Sequence, residues 1–197
     1  MKRILFLIHT LLVLQSVQLA QTRTNLEIVN DLIEKSVSNI DPNIINKNIS
    51  FNFIYNSSDS FNFLKARVID SYIKKGISIN ANNSVESRLE HSINNISIAY
   101  SNPYKDGFFG RIMIERNIKV DATLIILDRS VIKTVDLNNS YKDTIEVENI
   151  SRLENPSIPF TQSTVPELPL FSNLLEPIIV VGTLIVTIIL FFTIRSK

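Results

Sequence analysis

The sequence predicts an α+β domain, with two amphipathic helices packed on a mixed sheet, carried on one C-terminal transmembrane helix. Three observations predict it. Two stretches in the first half carry apolar residues at helical spacing, and each is followed by a short alternating stretch. The second half is dominated by long apolar–polar alternation. The last twenty residues include seventeen consecutive uncharged ones, Ile178 to Ile194.

The N-terminus starts Met1-Lys2-Arg3, runs through the apolar stretch Ile4 to Leu14 and reaches Ala20. A positive start, a short apolar core and a small residue make a secretory signal peptide over 1–20, with cleavage after Ala20. The apolar core is too short to span a bilayer. No Cys follows it, which excludes a lipoprotein signal. Thr24-Asn-Leu-Glu27 is a capping box, and Leu26, Val29, Leu32, Ile33, Val37 and Ile40 follow on one helical face. This predicts a helix over about 25–39, stopped by Asp41-Pro42. Ile49 to Tyr55 alternates as a strand. Ser57-Ser58-Asp59 offers caps for a second helix, about 59–75, with Phe61, Leu64, Val68, Ile69, Tyr72 and Ile73 on one face. Gly76 stands where a left-handed C-terminal cap belongs, and Ile77 to Asn80 reads as a short strand. Strand, helix and strand then form a βαβ-like unit. Residues 84–90 read as a short helix.

In the second half, Ile96, Ile98 and Tyr100 alternate with polar neighbours. Ile112, Ile114, Ile118, Val120, Ala122, Leu124 and Ile126 keep one parity, broken only by Arg116. Weaker strands are expected near 131–136 and 144–147. From Asn155 the composition shifts. Pro156, Pro159, Pro166 and Pro169 mark a Pro-rich linker over 155–176 that reaches the membrane. The organisation is thus signal peptide 1–20, exported domain 21–154, linker 155–176, transmembrane helix 177–194 and tail 195–197.

The terminal helix spans about 25 Å at 1.5 Å per residue, close to a hydrocarbon core. Only a helix satisfies its backbone groups in lipid. Pro177 suits a first turn. Arg195 and Lys197 belong on the cytoplasmic side, and a cleaved signal places the domain on the outside, so both ends give one orientation. Gly182, Thr183 and Thr187 are the candidate helix–helix contacts within the membrane.

Composition narrows the function. Setting aside Lys2, Arg3, Arg195 and Lys197 leaves 16 basic residues against 19 acidic ones. No basic face appears, so nucleic acid is not an expected partner. The chain has no Cys, which excludes disulfides and thiolate sites and favours a bacterial envelope protein over a small animal ectodomain. No cofactor or metal constellation is read from it.

The loop Ser101 to Gly110 contains Asp106-Gly107 and Phe108-Phe109. These two Phe either form an exposed aromatic tip that docks a partner or, more ordinarily, fold back over the core. Arg116 is either a buried charge that requires a carboxylate or, more commonly at such a place, the mark of a bulge or strand end. Phe108, Phe109 and Arg116 are the candidate partner contacts. His91, the one His after signal cleavage, reads as a solvated surface residue, and a lone His makes no metal site. No nucleophile elbow, HExxH, SxxK or glycine-rich nucleotide motif is present.

The helix–strand–helix–strand order, with the Phe61–Lys75 helix ending at Gly76 before Ile77-Ser-Ile, resembles the small envelope α/β domains of the CsgG, FlgO and TolB N-terminal type over about residues 25–128. The resemblance is of pattern and carries over no functional residue. It implies an assembly or secretion role without enzymatic activity. The expectation is a non-enzymatic envelope protein that contacts other envelope proteins. The alternatives are a tethered small-ligand or glycan module and, last, a hydrolase.

Overall fold

A capping box opens the first helix. Thr24 Oγ1 accepts the Glu27 amide at 3.2 Å, and Glu27 Oε2 accepts the Thr24 amide at 2.7 Å. The computed structural model describes residues 22–80, 86–107, 110–129, 131–168 and 175–195. The expected signal peptide, Phe108, Phe109 and the last two residues lie outside the described residues.

Helix α1 spans Asn25–Ser38 and buries Ile28, Val29, Leu32, Ile33 and Val37, together with the polar Asn25 and Ser36. Strand β1 is Ser50–Tyr55. The second helical segment is not uniform. Asp59–Leu64 is a 3-10 turn, and α2 proper is Lys65–Lys74. Local bonds from Ser58 to Ser60 and from Asn62 to Asp59 compete with the helical ladder there. Phe61, Leu64, Val68 and Tyr72 form the buried face, whereas Ile73 is 58 % exposed. Gly76 ends α2 at φ 82°. Its amide bonds Ile73 O at 2.9 Å and the Ile77 amide bonds Tyr72 O at 3.1 Å, a Schellman closure that needs a left-handed residue.

Strand β2, Ser78–Asn80, pairs parallel with β1, as the βαβ pattern requires. Strand β3, Arg88–Lys105, pairs parallel with the other side of β1, so the short helix expected over 84–90 gives way to strand from Arg88, while residues 84 and 85 lie outside the described residues. The parity explains the error: Leu89, His91 and Ile93 alternate inward. Strand β4, Ile112–Asp128, runs antiparallel to β3. Strands β5, Val131–Asp136, and β6, Asn139–Glu146, both pair antiparallel with β4. They hold one register from Val131↔Asp128 to Glu146↔Met113, bridged by the Leu137 amide on Ala122 O at 2.8 Å. They act as one long edge strand. The sheet order is β2-β1-β3-β4, with β5 and β6 sharing the far side of β4. The fold is α+β with a mixed sheet.

The core lies between the helices and one sheet face. Ile114, Ile118, Val120, Ala122, Leu124 and Ile126 of β4 are all buried there. The register through 115–117 is unbroken on both sides, so Arg116 marks no bulge or strand end. The irregularities fall at 93–95 and 101–104 of β3 instead. Asn102 takes φ 53°, and Pro103, which has no N–H to donate, sits in that break.

Helix α3, Ile150–Leu153, and a 3-10 turn, Pro159–Thr161, follow. The first part of the linker expected over 155–176 is thus docked on the domain, and residues 169–174 of it lie outside the described residues. Thr161 is fully buried, and the Phe160 ring meets those of Phe61 and Phe63 at 5.4 and 5.7 Å. Pro156 and Pro159 shape a docked turn rather than a free spacer. Helix α4 is Leu175–Arg195. Its side chains are described from 177 to 193, and among the described residues no helix is long and apolar enough to cross a membrane. The span expected over 177–194 therefore rests on the sequence and on the exposure of this helix, whose Ile178 and Phe192 are 66 % and 68 % exposed.

Candidate functional site

Three polar groupings interrupt the apolar interior or its rim. The first surrounds Arg116, which shares the inward parity of β4 and is 0 % exposed. Asp143 lies directly across on β6. Arg116 Nε donates to Asp143 Oδ1 at 2.9 Å and Nη2 to Oδ2 at 2.6 Å, a bidentate pair. Nη1 donates to Arg23 O at 3.0 Å and to Asn25 Oδ1 at 2.8 Å. Asn25 Nδ2 in turn donates to the Tyr100 hydroxyl at 3.0 Å and to Thr161 O at 2.8 Å. Thr161 Oγ1 closes the turn onto Asn155 O and Ile158 O. Burial, with Glu154 beside it, pushes the Tyr100 phenol up to about 12, so it stays a neutral hydroxyl. One guanidinium thus ties the start of α1 to β4 and β6, and through Asn25 to the strap 155–163. The chain enters and leaves the domain at this end. Arg116 is the inward charge with a carboxylate partner. Being buried, it offers no surface for a partner to touch.

The second grouping is His91, which the sequence placed at the surface. It is 1 % exposed. Its Nδ1 is 2.9 Å from the Tyr72 hydroxyl, its ring stacks on Tyr55 at 6.4 Å, and Nε2 has no hydrogen-bond partner among the described residues. Burial lowers its pKa to about 4 and raises that of Tyr72, so both are neutral at pH 7. Among the described residues its hydrogen-bond and ring contacts are with Tyr72 and Tyr55, and the arrangement reads as a neutral core pair.

The third is a cleft of about 530 Å³ at the other end of the sheet. The loop Pro42–Lys47 forms one wall, Phe51 and Ile126 contribute apolar lining, and Asp128 at the end of β4 and Val131 and Lys133 at the start of β5 complete it. Asx bonds set the loop: the Asn43 amide bonds Asp41 Oδ1 at 2.9 Å, and the Asn48 amide bonds Asn46 Oδ1 at 3.1 Å. Lys75 fastens it from α2, donating to Ser38 O and Ile40 O, both at 2.6 Å. Burial, then the nearby Lys47, lowers the pKa of Lys75. Asp128 accepts the Ser87 hydroxyl at 3.1 Å. Lys133 Nζ donates to Ile44 O at 3.4 Å. Neither Lys47 nor Lys133 forms an ion pair among the described residues, in contrast to Arg116.

On α4, the Thr183 hydroxyl donates to Ile179 O and Val180 O and the Thr187 hydroxyl to Thr183 O, so both are satisfied within the helix. A Cβ at Gly182 would meet nothing within 4 Å, which leaves that face open. The sequence missed Asn25, Asp143, His91 and the cleft lysines. Parity was the available signal for His91, between Leu89 and Ile93, and for Asp143, between Tyr141 and Ile145. Nothing local in the sequence brings Lys47 to Lys133.

No known family model matches the chain, and no curated protein matches it in sequence. Among solved structures, a minor lipoprotein from Acinetobacter baumannii aligns with 66 % of this chain and 86 % of its own, at a TM-score of 0.32 and 11 % identity. A likeness of that size assigns neither fold nor function. The pattern resemblance to CsgG, FlgO and TolB N-terminal domains gains nothing from these comparisons.

Proposed function

We propose that this protein is a non-enzymatic, single-pass envelope protein whose exported domain contacts other envelope proteins. The observation that carries the reading is α4, a 21-residue helix whose described side chains are almost wholly apolar and exposed. Leaving that much apolar surface in water is costly, at about 25 cal/mol per Å², and a bilayer removes the cost. The signal-like N-terminus and the Arg195/Lys197 tail then put the domain outside and the tail in the cytoplasm. The test is an alkaline wash of membranes that carry either the full chain or a chain ending at Glu167. The full chain stays in the pellet and the shortened one is released; release of both contradicts the anchor. Mild crosslinking in intact cells then gives discrete larger species that contain a second kind of chain. Recovery of this chain alone contradicts the contact role.

The cleft favours a second reading, a tethered module that binds a small ligand. Its volume falls within the range usual for ligand sites, and its lining mixes apolar walls with a few polar groups.

A further inference from the structure

We propose that the cleft between the loop 42–47 and the β4–β5 turn binds a small soluble organic anion, a carboxylate or phosphate monoester on a short apolar body. This deepens the ligand-module reading and rests on it.

The first ground is charge without partners. Elsewhere some of the domain's Arg and Lys side chains meet carboxylates, as Arg116 meets Asp143, Arg67 and Lys74 meet Glu34, Arg111 meets Glu146, and Lys142 meets Glu115, while Lys35, Lys65 and Lys119 form no ion pair among the described residues. Lys47 and Lys133, which line the cleft from two separate segments, have no such partner among the described residues. One carboxylate, Asp128, also lines it, but Ser87 holds it and no lysine pairs with it. Two cations therefore stand against one anion in the lining, while Lys75 and Asp41, with opposite charges, lie just outside it.

The second ground is the wall. Ile44, Ile45, Phe51, Ile126 and Val131 supply an apolar surface next to those ammonium groups. A small inorganic ion would leave that wall wet, whereas an anion with an apolar body covers it and keeps its head at the lysines.

The third ground is position. Arg116, at the chain-exit end, and Ile126, at the cleft, are ten residues apart on one strand, about 33 Å at 3.3 Å per residue. The cleft thus lies at the opposite end of β4 from the Arg116 network, and the nanodisc arms of the experiment separate a ligand from solution from a lipid headgroup.

The experiment uses the full chain in phosphatidylcholine nanodiscs. Hexyl phosphate, hexanoate, hexanol and hexylammonium are titrated, with thermal unfolding and ligand-observed NMR as readouts, against the chain and against Lys47→Met/Lys133→Met. The two anions should bind and raise the Tm, hexylammonium should not, and the double substitution should weaken anion binding at least tenfold. If hexanol binds as tightly and survives the double substitution, the cleft is an apolar pocket: the ligand-module reading stands and the anion assignment falls. If no probe binds, both fall. If phosphatidylglycerol nanodiscs give the lysine-dependent shift and hexyl phosphate does not, the soluble-ligand assignment is overturned.

Discussion

The two ends of this domain treat charge in opposite ways. At the chain-exit end, the buried guanidinium of Arg116 is held bidentately by Asp143, with Arg23 O and Asn25 taking a further N–H, and every neighbour in that network is itself bonded. At the cleft end, Lys47 and Lys133 are exposed and have no carboxylate partner among the described residues. A buried charge persists only when it is paired, because desolvation costs several kcal/mol per ion. An exposed charge needs no partner and remains available to a ligand. The first end is therefore structural, holding the start of α1 and the strap 155–163 to the sheet, and the second is the end proposed to bind a ligand. The contrast also settles how a charged residue in an apolar stripe reads here: Arg116 holds elements together.

The largest test of this contrast is Arg116→Met. It strands Asp143 and frees Asn25, and should cost about 3–5 kcal/mol in denaturant unfolding. A loss below 1 kcal/mol would move Arg116 out of the structural role. Next comes pH. His91 is held neutral because its folded pKa, about 4, lies below its ordinary 6.5. The unfolded chain binds the proton first, so stability is full above about pH 6.5 and falls as pH drops toward 4. The loss is about 3 kcal/mol over that window. Urea unfolding at stepped pH should show that slope, and Tyr72→Phe/His91→Phe should flatten it. A slope unchanged in the double variant would assign the acid sensitivity to other groups. Phe160→Ala comes third. It should cost about 2 kcal/mol by removing the ring from Phe61 and Phe63, and hydrogen exchange should quicken in 154–163 first. Smallest of all, Lys47→Met/Lys133→Met should change unfolding free energy by less than about 0.5 kcal/mol. A large loss there would make the cleft end structural too.

Local signals made the elements legible. The capping box at Thr24, the glycine stop at Gly76 and the parity of β4 each act within a few residues, and each appears in the fold where the sequence placed it. Long-range pairing was not legible. Whether Arg116 broke its strand depended on Asp143, which a register spanning 27 positions delivers. The edge strand β6 was foreseen only at 144–147, because Asn139, Tyr141 and Asp143 are polar residues turned toward Ser36, Arg23 and Arg116. Their inward alternation therefore looked like surface. His91 was misplaced for the same reason: a polar residue inside is visible only once Tyr72 and Tyr55 are brought to it from other elements. The Pro-rich composition from Asn155 suggested an extended spacer, but Thr161 and Phe160 gave this stretch enough to dock. The cleft is wholly a product of topology, since its loop, floor and turn come from three separate parts of the chain.

The central proposal is that this domain stands outside a membrane on α4 with its cleft end free. The chain has no native cysteine, so single introduced thiols report without background. Lys47→Cys and, separately, Ser196→Cys in the full chain are treated in intact cells or spheroplasts with a membrane-impermeant maleimide. The account predicts labelling at position 47 without permeabilisation and at 196 only after it. Labelling of 196 in sealed membranes, or protection of 47, would contradict it.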